Sequence, residues 1–411
     1  MTDTFEITID TMAHGGSGLG RHSGRVVFVP YTIPGERAEV RPVSEKGRVV
    51  FGQGVRLVEA SADRVLPRCP HFGPGRCGRC QWQHIAYPAQ LLLKQDVLAD
   101  QLERIGGFRD AEVRPLIPCS LEWGYNARMT FNVVDGELAL PAAGQDMTLH
   151  PISECHILNP DLLALKDSLD LETITGLREL TLLRGSDGAT MLVIRTHDDE
   201  PPELETDVPM SVNLLSSDNE PVNLIGDLHA RYTVKGRDLR VTAGSYFRAN
   251  LTQLERLVDV VLETLGSTEG QAVLDLYAGV GLFSVFLSPR ARRVTLVESH
   301  PQTVSDAEEN LSAFSNVDII EGSVEDVLGE LDDQYAVALL DPPDDGLSVE
   351  VIDALVALRL PRLVYLSGDP ATLARDGKRL AAQGYTLRYV QPIDLAPQTY
   401  YIDAVALFER G

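Results

Sequence analysis

No apolar run in the chain approaches the roughly twenty residues needed to cross a bilayer as a helix. The first residues, Met-Thr-Asp-Thr-Phe-Glu, show neither a basic start nor a signal-like apolar core, so a cytoplasmic protein with no membrane partner is expected. Cations are scarce: Lys and Arg number 36 against 60 Asp and Glu, a formal net charge of −24 over 411 residues. Phosphate binding draws on cations, so this balance excludes a surface that is basic throughout. It leaves room for a local basic patch. Residues 1–62 carry seven Arg and Lys against seven acids, a balance of zero. The acidic excess lies later, as in Asp198-Asp-Glu200, Glu203, Glu205 and Asp207, where a solvated surface loop is the simplest reading. Cysteine is also rare, at five residues, which argues against a disulfide-stapled secreted scaffold.

A hydrophobic content of 44% and a charged content of 23% are those of a globular chain, and the length accommodates two or three domains. The most informative stretch is Val273-Leu-Asp-Leu-Tyr-Ala-Gly-Val-Gly-Leu-Phe-Ser284. Val273–Leu276 reads as a buried strand around one acid, Tyr277–Gly281 as a tight turn, and Leu282–Leu287 as the start of a helix. Gly279 and Gly281 permit a ligand to approach the backbone closely. Val294–Glu298 then reads as a second strand ending in an acid, and a carboxylate there can accept both ribose hydroxyls of a nucleoside. An ordinary strand–helix turn without a ligand is the alternative. The turn is shorter than GxGxxG and lacks a third glycine, which disfavours a dinucleotide.

Along the chain, Phe5–Ile9, Arg25–Val29, Glu36–Arg41, Arg48–Phe51 and Gly54–Glu59 alternate as short strands, with His14–Gly20 as a flexible turn. Five such strands suggest an OB-like β-barrel over 1–62, a common RNA-binding shape. Residues 63–240 are expected to form a central α+β domain. It holds Cys69, Cys77 and Cys80, with Cys155 farther on, and four thiolates can enclose zinc or a [4Fe–4S] cluster. Their spacing does not choose between the two. Cys119 stands apart and is expected to be an inert core thiol. A helix is predicted over 87–105, ending at Gly106-Gly107, and hairpins at Asp135-Gly136 and Ser186-Asp-Gly188. Residues 241–411 alternate strand and helix, with strands near 273–276, 294–297, 317–320, 336–340, 362–366, 385–391 and 403–408. This is an α/β Rossmann-like, doubly wound sheet. Asn250 is a plausible N-cap for a helix over 251–266.

The words of these motifs resemble the RNA 5-methyluridine methyltransferase family. Asp275-Leu-Tyr-Ala-Gly-Val-Gly-Leu-Phe-Ser284 is similar to the S-adenosylmethionine loop of class I methyltransferases. Residues 1–62 resemble the TRAM domain, and Cys69-Pro-His-Phe…Cys77-Gly-Arg-Cys80-Gln-Trp-Gln-His84 resembles the family's cluster motif. The resemblance implies S-adenosyl-L-methionine held by Arg248, Tyr277, Gly279, Gly281, Glu298 and Asp341, and a [4Fe–4S] cluster on Cys69, Cys77, Cys80 and Cys155. The first cysteine gap is slightly longer than usual. The last two strands would be the antiparallel edge pair of the class I fold. The implied partner is tRNA or rRNA, and a monomer is expected.

Where the family carries chemistry, this chain departs from it. The family's nucleophile motif, Val-Ser-Cys-Asn-Pro-Ala-Thr-Leu-Ala-Arg-Asp, is here Leu366-Ser-Gly368-Asp369-Pro-Ala-Thr-Leu-Ala-Arg-Asp376. Gly368 has no side chain with which to attack uracil carbon 6. The usual Asp-Pro-Pro-Arg is Asp341-Pro-Pro-Asp344, and Phe-Phe-Gln is Tyr246-Phe247-Arg248. The C-terminal glutamate base falls at Asp403, one methylene shorter. Ser323 stands where an adenine-side acid is common, and the Tyr-Arg-Asn-Lys-like stretch reads Tyr125-Asn-Ala-Arg128. Asp403 is a candidate base; Asp369 is a base or, more simply, a helix N-cap before Pro370. The expected function is an S-adenosylmethionine-dependent RNA methyltransferase that does not use the cysteine adduct. Its rivals are a non-catalytic RNA-binding or assembly factor and a methyltransferase for a different acceptor.

Overall fold

The structure, a computed structural model, describes residues 4–411 except 145–147, 172–173, 175, 205–206 and 332–333. Glu205 therefore lies outside the described residues. The first five strands close into a barrel in the order Phe5–Met12, Gly18–His22, Arg25–Val29, Val49–Glu59, Arg37–Lys46. Alternation sends Ile7, Ile9, Val27, Val29, Val40 and Val50 inward as its core.

The strand count holds, but two assignments change. Gly18–Gly20, expected within a flexible turn, begins a strand, and the two segments around Gly52 and Gly54 are one continuous strand. In both places glycine serves close packing. A Cβ on Gly18 would collide with Thr32, one on Gly20 with the Thr8 carbonyl, and one on Gly52 with Val40.

The central region is built on a seven-stranded sheet ordered Pro221–Ile225, Ser211–Leu215, Thr190–Thr196, Leu177–Arg184, Arg128–Val134, Glu137–Pro141, Leu149–Pro151. Asp135 and Gly136 both adopt left-handed backbone (φ 51° and 78°), the signature of a two-residue hairpin. The hairpin at Ser186–Gly188 is likewise present.

The C-terminal sheet has eight strands, in the order Val317–Glu321, Arg293–Glu298, Ala272–Leu276, Val337–Leu340, Arg362–Ser367, Asp403–Arg410, Tyr385–Ile393, Glu112–Val113. The first five run parallel and Asp403–Arg410 is antiparallel to both neighbours. The outermost strand, Glu112–Val113, comes from far earlier in the chain. It arrives with the helix Tyr87–Gln101 and its π-helical extension Leu102–Gly106, which end at Gly107 in a left-handed conformation (φ 78°). Val97, Leu98 and Leu102 pack into the same core as Leu373, Leu380 and Phe408. At the buried centre of that helix, Lys94 Nζ lies 2.7 Å from Asp394 Oδ1, both side chains wholly buried, and Tyr87 donates to the other Asp394 oxygen at 2.9 Å. The segment between barrel and central sheet is thus bolted to the loop that precedes Asp403.

Candidate functional site

The site grows from the C-terminal end of Ala272–Leu276, at the point where neighbouring strands lead in opposite directions. Tyr277 is held in left-handed backbone (φ 58°), as are Gly279 (φ 56°) and Gly281 (φ 81°). A non-glycine residue there is strained, and such strain gathers where a loop is shaped for a ligand. A Cβ on Gly279 would meet nothing within 4 Å, whereas one on Gly281 would press on Leu311 at 3.0 Å. Gly279 therefore faces open space and Gly281 the core. Glu298 fastens the turn from the next strand. Its Oε2 accepts the Gly279 N–H at 2.9 Å, and its Oε1 accepts the Ser299 and His300 N–H groups at 2.8 and 2.9 Å. Tyr277 donates to Glu325 at 3.3 Å. Ser323 caps the following short helix and donates to Asp326 at 2.6 Å, so a carboxylate missed in the sequence stands beside the position where an acid was expected.

Beneath this turn lies Asp275, wholly buried. Ser284 donates to its Oδ2 at 2.6 Å, while Oδ1 has no partner. Burial first, then the charges of Asp341 and Glu298, push its carboxyl up to about 7. The apolar strand showed an acid here but not that one oxygen would be left without a donor.

Beyond the turn, Arg248 Nη2 donates to both oxygens of Asp341 at 2.7 Å, and its Nη1 lies 3.7 Å from Asp403. Arg248 is thus tied to the ends of two strands. Asp403 is raised to about 6 because burial outweighs the opposing pull of Arg248 and Lys94. A Cβ built on Gly368 would stand 2.7 Å from Asp344 Oδ1 and 4.0 Å from Asp403 Oδ1. The carboxylate of Asp344 therefore occupies the space into which a side chain at 368 would project. Asp369 Oδ1 accepts the Ala371 and Thr372 N–H groups, both at 2.8 Å, which is the N-cap geometry. Its Oδ2 is 3.1 Å from His14 Nε2, a barrel residue the sequence did not single out. Burial alone would raise the Asp369 carboxyl, but the His14 and backbone hydrogen bonds hold it below its ordinary value.

The stretch Tyr125–Arg128 stitches the central sheet to this site. Tyr125 donates to the Pro397 carbonyl at 2.9 Å, Ala127 N–H to the Ala249 carbonyl at 2.8 Å, and Arg128 to the Ser245 carbonyl. Asn250 caps the helix Leu251–Leu265 through Gln253 N–H.

Cys69, Cys77, Cys80 and Cys155 line one cavity with Phe72, Gln83, Leu140 and Ile152, and none of the four is paired in a disulfide. Burial pushes each thiol up, Cys155 to about 11. Among the described residues, no three His, Cys, Asp or Glu side chains converge closely enough for a single metal ion. Cys119 lies elsewhere, its Sγ 3.4 Å from Asn250 Nδ2.

With this geometry, comparison with known proteins is direct. Residues 226–410 match the tRNA (uracil-5-)-methyltransferase family and residues 2–53 the TRAM domain. An RNA methyltransferase of Streptomyces avermitilis, itself uncharacterised, is 33% identical over 438 residues, covering all of this chain and 99% of its own. The chain belongs to the tRNA (uracil-5-)-methyltransferase family. A further uncharacterised RNA methyltransferase, from Halalkalibacterium halodurans, is 32% identical over 447 residues, covering 99% of this chain and 97% of its own. In three dimensions the chain is similar to the Pyrococcus abyssi tRNA (uracil-54, C5)-methyltransferase, solved with S-adenosyl-L-homocysteine. That match has a TM-score of 0.75 at 23% identity and covers 98% of this chain and 100% of the other. The family's two-ended architecture, TRAM barrel and methyltransferase domain, is therefore that of this chain. Among the described residues, no helix is long and apolar enough to cross a membrane.

Proposed function

We propose that the protein is an S-adenosyl-L-methionine-dependent RNA methyltransferase that works without a cysteine adduct. The observation that carries this reading is a donor seat kept whole beside a nucleophile position that is empty of side chain. The strained Tyr277–Gly281 turn, the open face of Gly279 and the anchored Glu298 favour a nucleoside held by its ribose, and the unpartnered Asp275 oxygen favours a ligand that brings a donor. Gly368 offers no thiol, and Asp344 fills the space a cysteine would need. An activated sulfonium methyl needs only an aligned nucleophile, so proximity supplies much of the acceleration. The acceptor base reaches the donor by leaving its stack. RNA is the partner the TRAM barrel favours.

The four cysteines are assigned to a [4Fe–4S] cluster. They line one cavity, and as four thiolates they would hold such a cluster there. A cluster held by Cys69, Cys77, Cys80 and Cys155 would cross-link the central domain, and the four cysteines would bind it as thiolates.

The test is methyl transfer from labelled S-adenosylmethionine to RNA by the purified chain and by Glu298→Ala. Transfer lost in the variant supports the reading. Donor binding without transfer to any cellular RNA supports instead a non-catalytic RNA-binding factor. A covalent complex with 5-fluorouridine-containing RNA overturns the claim that no adduct forms.

A further inference from the structure

Resting on the reading above, we infer that the acceptor is the exocyclic amino group of an RNA base, selected by Asp344 and deprotonated by Asp403. Where the family has a thiol and an arginine, this chain has Gly368 and Asp344, and Asp344 adds a second carboxylate to that of Asp403, which stands at the family's glutamate: Asp344 Oδ1 lies 2.7 Å and Asp403 Oδ1 4.0 Å from where a Gly368 Cβ would be. Carboxylates only accept hydrogen bonds. Uracil presents a carbonyl oxygen beside its carbon 5, and the added carboxylate of Asp344 repels it. An amino group offers two N–H donors to the same pair. The cation that replaced the family's glutamine does not rescue uracil, because Arg248 Nη2 is committed to both Asp341 oxygens at 2.7 Å.

Two separate features favour a ligand at this site over one closed upon its own charges. Asp275, wholly buried within the field of Asp341 and Glu298, keeps an oxygen with no partner, which a donor on a bound molecule satisfies. Tyr246 is 73% exposed as a residue while its hydroxyl feels the charges of Arg248, Asp341, Asp403 and Asp344. An open aromatic face beside hydrogen-bonding groups is a platform for a splayed base.

The reaction balances with these residues alone. The amino nitrogen lone pair forms a bond to the methyl carbon as the carbon–sulfur bond breaks, and that electron pair stays on sulfur as the neutral thioether. The nitrogen gives one proton to the Asp403 carboxylate, which later releases it to water. Asp403 suits the task because burial raises it to about 6, near neutral pH yet ionised there.

The experiment uses the full chain with labelled S-adenosylmethionine and total RNA from a strain of its source organism lacking the gene, followed by nucleoside mass spectrometry. Label in N-methylated adenosine, cytidine or guanosine supports the inference. Asp403→Asn is expected to lower kcat about 10²-fold or more. Asp403→Glu should retain activity and shift the acid limb of the pH profile, a change that mere misfolding does not produce. Asp344→Asn, on the exposed rim, should weaken transfer while donor affinity by calorimetry stays unchanged. Label in 5-methyluridine, or full kcat in Asp403→Asn, overturns the inference and leaves the methyltransferase reading intact. No label in any RNA while the donor still binds overturns both.

Discussion

Replacing Glu298 with alanine probes the donor seat at its firmest point. The wild-type carboxylate accepts three backbone N–H groups, from Gly279 on Oε2 and from Ser299 and His300 on Oε1, which leaves one lone pair, on Oε2, free for a ribose hydroxyl. A hydrogen bond to a charged group contributes about 1.5–3 kcal/mol, so losing that ribose contact costs about as much. Glu298 is only half-buried, and water takes over part of its role, which favours the lower part of that range. At about 1.4 kcal/mol per tenfold, donor affinity falls by ~10-fold or somewhat more. Glu298→Gln keeps the shape and one acceptor oxygen, and should lose about threefold. Isothermal titration calorimetry with S-adenosylmethionine and S-adenosylhomocysteine reads the change directly, with thermal melting as the check on folding. If a folded Glu298→Ala chain binds within about threefold of wild type, the ribose role of this carboxylate is refuted.

Other perturbations test other parts of the account. Asp275 holds its proton up to about 7 when folded but releases it near 3.8 when unfolded, so stability should fall as pH rises between those values. Asp275→Asn should flatten that slope in urea titrations taken across the window, and an unchanged slope would assign the pH dependence elsewhere. Lys94→Met strands the buried Asp394 carboxylate and should destabilise the chain by about 3–5 kcal/mol in denaturant titrations; a loss below about 1 kcal/mol would mean that the pair is not desolvated. Cys155→Ser should abolish the broad visible absorbance and the iron and sulfide of anaerobically purified protein, whereas Cys119→Ser should leave them unchanged. Iron retained in full by Cys155→Ser would remove that residue from the ligand set.

Much of this molecule was legible in the sequence because its signals are local. Val273–Glu298 spelled out strand, glycine turn, helix, strand and terminal acid in order, and the structure has them in those places. The Asp135-Gly136 hairpin and the Asp369 and Asn250 caps were readable for the same reason: short-range hydrogen bonding leaves a residue signature. What escaped was long-range. Gly18 and Gly20 read as turn residues, because the neighbours that require their smallness, Thr32 and Thr8, come from other turns and strands. Glu112–Val113 joins a sheet whose nearest strand begins at Tyr385, and two residues carry no periodicity with which to announce it. His14 meets Asp369 across some 350 residues of chain. The loss of the thiol was plain from Gly368 alone, but that Asp344 fills the vacated volume is a fact of three dimensions.

The central claim is methyl transfer to RNA without a protein–RNA bond, and one denaturing gel measures both halves. The full chain is incubated with methyl-labelled S-adenosylmethionine and either RNA from the gene-deleted strain or the same RNA containing 5-fluorouridine, which traps any adduct, and both are resolved under denaturing conditions. The account predicts label migrating with free RNA and none in a protein-shifted band. Label in the shifted band, or RNA that stays unlabelled while calorimetry shows the donor bound, would contradict it.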